Sequence, residues 1–228
     1  MASIKPNTTI REYQNFVQEV YGVPNDQYWN SQEMLTNIQR FCMRGVKGIR
    51  KGDTAKTIFN LLIAQTWFGS LMNRLHIDLQ EQVWKRFPYM CSYCAHCPCI
   101  CKVQKIKTRK KVVFYERKRP KTFADFQDMF WAIYPPESRT LEHAGIHLAE
   151  EMGELSEAVL RYQGLRKKKD FTKITQEAAD FFSCLMGVFN FMHIPVAREL
   201  SALFSHNCHV CKKAPCECSF AFVANFKS

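Results

Sequence analysis

Two cysteine-rich strings organise this sequence: CSYCAHCPCIC at residues 91–101 and CHVCKKAPCEC at residues 208–218. Both contain the pattern C-x2-C-x4-C-x-C, and each cysteine of the first pattern lies 117 positions before its counterpart. The same offset relates LHI at 75–77 to MHI at 192–194, and Phe87 to Phe204. Because one cysteine coincidence would not extend upstream in this order, the chain is a tandem repeat.

The repeat predicts two helical domains. TIREYQNF, from Thr9, resembles TFADFQDMF, from Thr122, and apolar residues recur at helical spacing between these anchors and the cysteines. We therefore predict an all-α protein with a first repeat at 1–101, a basic linker at 102–121 and a second repeat at 122–228. Each repeat is expected to be a small helical bundle closed by a cysteine knuckle.

The cysteines predict structural zinc. Four thiolates at short spacing can converge on one tetrahedral Zn²⁺ and leave no position for a catalytic water. The predicted ligands of two zinc ions are Cys91, Cys94, Cys99 and Cys101 in the first repeat, and Cys208, Cys211, Cys216 and Cys218 in the second. An iron–sulfur cluster, or one site shared by both strings, remains an alternative.

The composition limits which class of protein this sequence can encode. The 228 residues are 46% hydrophobic and 23% charged, which is typical of a globular chain. The sequence has no run of eighteen apolar residues and no signal-peptide core, so we expect a cytoplasmic protein without membrane contact. In that reducing compartment, an odd count of eleven cysteines favours metal binding over disulfides.

The net charge of +11 is concentrated in the linker. Ten lysines and arginines lie between Lys102 and Lys121, whereas the rest of the chain carries 22 basic and 20 acidic residues. This segment is either a solvated connector or a surface that attracts phosphate. A zinc-stabilised nucleic-acid-binding or regulatory module is therefore the alternative function, although it is not the favoured one.

The second repeat carries paired carboxylates. Glu151 and Glu154 stand three residues apart, as do Glu177 and Asp180, so each pair shares a helical face. Four carboxylates facing one another in a bundle would repel unless a cation lay between them. Hard oxygen ligands favour Mg²⁺ or Mn²⁺, which can hold a polyphosphate and activate a water. A solvated acidic face would not explain an Asp in the apolar context AADFFSCLMGVF.

The segments EEMGELSEA, EAADFF and FNFMHI resemble the MazG-type all-α NTP pyrophosphohydrolases. The signature of that family is EExxE, a helical gap, ExxD and an Asn ten residues later. The resemblance implies Mg²⁺ ligands at Glu151, Glu154, Glu177 and Asp180, with Glu150 as a less certain member of the catalytic set. It also implies hydrolysis of an NTP or dNTP to the monophosphate and pyrophosphate, with Asn190 at the substrate.

The first repeat resembles the same family but lacks the acidic residues. The best alignment places Phe41, Arg44, Asn60 and Ile63 at the four carboxylate positions. Members of the family pair two bundles, so the resemblance implies a pseudo-dimer of one working and one degenerate repeat. The degenerate repeat would then serve as scaffold and pocket wall, and further homo-oligomerisation stays an open expectation.

Three further residues are candidates for the pocket. His147 shares a helical face with Glu151, and Lys168 belongs to a basic run that follows the acidic helix. Together with Asn190, these two are the predicted substrate contacts. A solvated surface stripe is the alternative for the histidine and the lysine. The proton acceptor for the attacking water is left open between Glu150 and Glu157.

Overall fold

The chain is helical throughout the part that the structure describes. The computed structural model describes residues 2–226, and within them no strand is present. The α-helices are α1 (Ile10–Tyr28), α2 (Ser31–Lys51), α3 (Thr54–Arg74), α4 (Leu79–Arg86), α5 (Phe123–Ile133), α6 (Leu141–Leu165), α7 (Lys168–Phe191), α8 (Val196–Leu203) and α9 (Phe220–Asn225). The predicted all-α class is confirmed for this part of the chain.

Local sequence signals set several helix ends. Thr9 and Thr122 each accept a hydrogen bond from the backbone N–H three residues later, and the acidic side chains there, Glu12 and Asp125, accept from the cap backbone. These reciprocal bonds satisfy N–H groups that a helix start leaves unpaired. Helix α2 ends at Lys51, and the next residue, Gly52, has a φ of 65°, which is accessible to glycine because it has no Cβ. The two repeats therefore begin with the same capping chemistry.

The residues divide into two compact units. Unit 1 comprises Met1–Asp78 and Ala197–Ser228, and unit 2 comprises Leu79–Val196. Unit 1 thus contains α1–α3 with the cysteine string 208–218 and α9, and it includes α8 apart from its first residue. Unit 2 contains α4, the cysteine string 91–101 and α5–α7. Unit 1 therefore contains the first three helices of the first repeat with the last part of the second repeat. Unit 2 contains the fourth helix and cysteines of the first repeat with the first three helices of the second.

This division differs from the boundaries that we predicted from the repeat. The predicted limits at 101 and 122 mark where the sequence pattern restarts, whereas the compact units follow contacts in space. The linker 102–121 belongs to unit 2 together with α4. The repeats and the folded units are thus different divisions of one chain.

In unit 1 the second cysteine string packs on the middle of α1. The backbone N–H of Cys216 donates to the carbonyl of Val20 at 2.7 Å. Phe204, which ends the segment before these cysteines, lies 5.3 Å from Phe16 and 6.4 Å from Tyr21 between ring centroids. Aromatic pairs at these separations add to the stability that burial provides. The cysteine string is therefore attached to the helical core of its unit by backbone and ring contacts.

Unit 2 uses the corresponding residues for the same attachment. The N–H of Cys99 donates to the carbonyl of Ile133 at 2.8 Å. Phe87 lies 5.2 Å from Phe130 and 6.2 Å from Tyr134 between ring centroids. Ile133 and Tyr134 occupy the repeat positions of Val20 and Tyr21, whereas Phe130 stands one position after the equivalent of Phe16. The first cysteine string is therefore attached to α5, in the unit that carries the predicted acidic residues.

A buried amide pair anchors α5 to the end of α7. Gln127 Nε2 donates to the carbonyl of Ile194 at 2.7 Å, and Asn190 Nδ2 donates to the carbonyl of Gln127 at 3.0 Å. In unit 1, Gln14 and Asn73 make the equivalent bonds at 2.8–2.9 Å. Because buried polar groups are costly when unpaired, these amides fix how the helices meet.

Among the described residues, no single helix has both the length and the apolar composition that crossing a membrane requires. Helices α7 and α8 meet that criterion only when they are counted together as one bent pair.

Candidate functional site

The acidic residues lie on the helical hairpin of α6 and α7. Helix α6 ends at Leu165, and Arg166 then adopts a left-handed conformation with φ 51°. Helix α7 begins at Lys168, so this member of the basic run lies in the first turn of α7 and not in a loop. This tight connection packs the two helices side by side, and it brings their acidic faces together.

Three carboxylates form one cluster. One oxygen each from Glu151, Glu177 and Asp180 can be chosen so that all lie within 4.8 Å of one another. Glu177 is buried, with 1% of its surface exposed, whereas Glu151 and Asp180 are partly buried. Like charges this close are unfavourable without a cation or protons. The cluster therefore has the composition of a site for a hard divalent cation.

Two other predicted acidic residues lie outside this cluster. Glu154 is exposed on α6, although its charge contributes to the raised pKa of Glu151. Glu150 is also exposed, and one of its carboxylate oxygens lies 3.9 Å from Nδ1 of His147. The charge of Glu154 thus acts on the cluster although its carboxylate is not part of it. The carboxylate of Glu150 lies near His147.

Burial and mutual repulsion raise the proton affinity of the cluster. The pKa of Glu151 rises from 4.5 to about 8, first because the group is buried and then because Asp180, Glu154 and Glu177 carry like charge. Burial also raises the pKa of Glu177, although the ammonium of Lys173 opposes that rise. Oε2 of Glu151 is buried and has no hydrogen-bond partner among the described groups. An unpaired buried oxygen of this kind is a ligand position that fits a cation.

Two basic side chains already contact the cluster. Arg86 pairs with Asp180 through both nitrogens of its fork, with Nε to Oδ1 at 3.0 Å and Nη2 to Oδ2 at 2.5 Å. Lys173 contacts Glu177 from one turn earlier on α7. The arginine comes from α4, in the first repeat, and no sequence motif pointed to it. Its positive charge compensates part of the cluster's negative charge.

A cavity of about 610 Å³ opens beside the carboxylates. Glu151 and Asp180 lie on one wall, and the cysteine string 91–101 supplies another. The basic residues that line it are Arg86, Lys102, Arg109 and Arg139, and its aromatic residues include Phe130 and Tyr134. Carboxylates that suit a cation, cationic side chains and flat rings are thus combined in one cavity of unit 2. That combination suits a ligand with phosphates and a planar base.

The histidine candidate lies at the rim of this cavity, and the lysine does not. His147 lines the cavity, and its Nε2 lies 3.2 Å from Nε2 of His143. Burial lowers the pKa of His147, and the neighbouring His143 and Arg139 lower it further. Lys168 is exposed and does not line this cavity. His147 thus lines the cavity and Lys168 does not, and the substrate role of each stays a prediction.

Asn190 lies in the interior rather than in the cavity. It is 2% exposed, and its amide donates to the carbonyl of Gln127. The predicted substrate role of Asn190 stays a prediction, but its contact in the structure connects two helices. The same contact at Asn73, in a repeat without the carboxylates, shows that the bond does not depend on the acidic cluster.

The predicted zinc ligands converge as two separate groups. The Sγ atoms of Cys91 and Cys101 are 3.8 Å apart, and those of Cys94 and Cys99 are 3.9 Å apart. Cys208 pairs with Cys218, and Cys211 pairs with Cys216, at 3.9 and 3.8 Å. Four sulfurs at the usual Zn–S bond length of 2.3 Å define a tetrahedron with edges of about 3.8 Å. Each group could therefore hold one zinc ion, and Cys97 is exposed beside the first.

The equivalent cavity in unit 1 has a different lining. Phe41 and Ile63 stand where the alignment puts two carboxylates, and they line an apolar cavity of about 90 Å³. The chain's own helix α9 forms part of its wall, with the ring of Phe220 stacked on Trp29 at 4.9 Å between centroids. Arg44 donates to the carbonyl of Phe226 just beyond that helix. The residues that line this cavity are mostly aromatic and apolar, and none of them is a carboxylate that could hold a cation.

The structure thus brings together three of the four predicted carboxylates and both cysteine quartets, and it adds Arg86, which the sequence analysis missed. No family model, no curated protein and no solved structure matches this chain.

Proposed function

We propose that this protein is a Mg²⁺-dependent nucleoside triphosphate pyrophosphohydrolase of the MazG type. It would cleave an NTP or dNTP between the α- and β-phosphates and release the monophosphate and pyrophosphate. The observation that carries the proposal is the convergence of Glu151, Glu177 and Asp180, with one oxygen of each within 4.8 Å of the others. These residues come from the two paired motifs on which the family resemblance rests.

The donor set fits magnesium or manganese. All three groups offer carboxylate oxygens, which these hard cations prefer, and Oε2 of Glu151 lacks any other partner among the described residues. Glu154, one helical turn from Glu151, lies outside this group, and it would complete the set if its exposed side chain turned towards the cation. When bound, Mg²⁺ would neutralise phosphate charge and activate a water molecule.

The remaining cavity residues account for substrate binding. Arg86, Lys102, Arg109 and Arg139 would balance the charges of a triphosphate that the carboxylates alone would repel. Tyr134, which lines the same cavity and is partly exposed, offers a ring to a nucleobase. The water would attack the α-phosphorus, the bond from that phosphorus to the bridging oxygen would break, and pyrophosphate would leave. Glu150 or Glu157 would accept the proton.

The repeat architecture supports the same proposal. We interpret the two units as MazG-like bundles that form a pseudo-dimer within one chain, each closed by a zinc knuckle of the other repeat. Unit 1 retains the amide contacts and cysteine attachment but has Phe41 and Ile63 at two carboxylate positions. One catalytic site per chain follows from this loss.

The test is pyrophosphate release from each of the four NTPs and four dNTPs in the presence of Mg²⁺. We expect the wild type to release monophosphate and pyrophosphate in equal amounts from at least one nucleotide. Glu177→Gln should lower the rate by about 100-fold or more because a central ligand is lost. Glu142→Gln, an exposed position in the first turn of α6, is the matched control and should retain the rate. Equal rates for Glu177→Gln and the wild type would overturn the proposal.

The basic linker carries the second candidate function, nucleic-acid binding. Lys105, Lys107, Lys110 and Lys111 are exposed, as an electrostatic contact with phosphates requires. Lys102 and Arg109, however, line the cavity of unit 2, which favours a phosphate ligand at the carboxylates. Replacing the four exposed lysines by glutamine should remove salt-sensitive nucleic-acid binding if this second function exists. It should leave pyrophosphate release unchanged in either case.

A further inference from the structure

The contact between Arg86 and Asp180 is built as a specific pair. Nε and Nη2 of the arginine meet the two different oxygens of the carboxylate, and both side chains are largely buried, at 13% and 14% exposed. Parallel bonds of this kind fix the orientation of a carboxylate as well as its charge. Asp180 is a proposed cation ligand, so the bonds from Arg86 set the orientation of its carboxylate.

The repeat shows that this pair is present or absent as a whole. At the offset of 117, Asp180 corresponds to Ile63 and Arg86 corresponds to Leu203. Both charges are thus replaced by apolar residues in unit 1, although the arginine belongs to the first repeat and the aspartate to the second. Because a buried charge without its partner is costly, the two positions are physically linked.

The neighbouring lysine behaves differently and serves as an internal comparison. Lys173, which contacts Glu177, corresponds to Lys56, and Glu177 corresponds to Asn60. The lysine is therefore present in both repeats whether or not a carboxylate stands one turn later, and in unit 1 it lies near Asp53 instead. Arg86, in contrast, is present only where a carboxylate of the acidic cluster needs it.

The position of Arg86 also suits a second partner. It lines the cavity beside the carboxylates, and its bonds to Asp180 use only Nε and Nη2. A guanidinium carries five N–H donors, so it can contact an anion in the cavity while it stays near the aspartate. A triphosphate placed against a cation at the cluster would bring such an anion to the arginine.

We propose that Arg86 is a positioning residue that exchanges partners: it holds Asp180 when the cluster lacks a cation and turns to the substrate's phosphates when a cation takes that carboxylate. The degenerate repeat thereby supplies a functional side chain to the acidic site. This inference rests on the proposed function, in that it assumes a cation and a phosphate ligand at the cluster.

The first measurement is Mn²⁺ binding without any nucleotide, followed by electron paramagnetic resonance. Since Arg86 occupies both oxygens of Asp180 and repels the cation, Arg86→Leu should tighten Mn²⁺ binding by about tenfold. Arg119→Leu is the matched control, because Arg119 pairs with Glu81 on the same helix α4, outside the cluster. It should bind Mn²⁺ like the wild type.

The second measurement is binding of inorganic tripolyphosphate in saturating Mn²⁺, a probe that is independent of the base. Arg86→Leu should weaken this binding by about tenfold, because a charge-assisted contact to phosphate is lost. Opposite changes in the two affinities are the signature of partner exchange. A purely structural arginine would weaken both, and that outcome would overturn the inference.

Arg86→Lys keeps the test decisive if the leucine variant does not fold. It retains the positive charge, so tripolyphosphate affinity should stay within about threefold of the wild type. A lysine variant that loses both Mn²⁺ and tripolyphosphate binding would contradict the inference. If the wild type hydrolyses no nucleotide but the two affinities still move in opposite directions, the proposed function fails and the partner exchange stands. If hydrolysis occurs and both affinities fall together, only the partner exchange fails.

Discussion

Replacing Glu151 with glutamine should make the cation-free protein more stable at alkaline pH. The pKa of Glu151 is about 8 in the folded protein against 4.5 for an ordinary glutamate. A carboxyl whose pKa is raised by folding binds its proton more tightly in the folded state, so the protein loses stability as pH rises from about 4.5 to about 8. Glutamine cannot ionise, so the variant escapes this loss.

The magnitude follows from the shift and from the exposure of the side chain. A rise from 4.5 to about 8 corresponds, at about 1.4 kcal/mol per unit, to roughly 5 kcal/mol. Glu151 is only partly buried, and solvent screening reduces that figure to about 2 kcal/mol. We therefore expect Glu151→Gln to exceed the wild type by about 2 kcal/mol in the free energy of unfolding at pH 8.5, and by little at pH 5.

The assay is urea unfolding at both pH values in magnesium-free buffer without a chelator, so that metal on the cysteine groups is retained. Glu157→Gln, an exposed position on the same helix, is the control and should show no pH-dependent gain. Added Mg²⁺ should stabilise the wild type more than Glu151→Gln, because a cation that binds only the folded state adds stability in proportion to its affinity. A difference between Glu151→Gln and wild type that is the same at pH 5 and pH 8.5 would refute the reasoning.

Two further predictions concern the cysteine groups and the buried amide. Cys99→Ser should lose the zinc ion of the first group, while Cys97→Ser, an exposed neighbour outside the quartet, should retain it. Elemental analysis of the purified variants measures this, and iron in place of zinc would refute the assignment. Asn190→Ala should lower the free energy of unfolding by about 1–3 kcal/mol, because the carbonyl of Gln127 loses its donor in the interior. Thermal unfolding tests it, and a raised KM for nucleotide with unchanged stability would instead favour the predicted substrate role.

Much of the acidic site was predictable because its determinants are local. Glu177 and Asp180 stand three residues apart on one helix, so their shared face follows from helical geometry alone. The cysteine quartets are likewise confined to short strings, and chain geometry leaves their sulfurs little room to separate. Short sequence separation is what allowed these groups to be identified without a structure.

The sequence by itself determined the all-helical class, the tandem repeat and the residue types available for a cation, because each depends on spacing within one segment. Only the tertiary structure decided which segments meet. A repeat contains equivalent helices, and periodicity cannot say whether α4 packs with α1–α3 or with α5–α7. The placement of α4 in unit 2 brings Arg86 to Asp180, 94 positions away along the chain. Packing also left Glu154 exposed while it buried Glu177, because the direction of a helical face depends on the partner it covers.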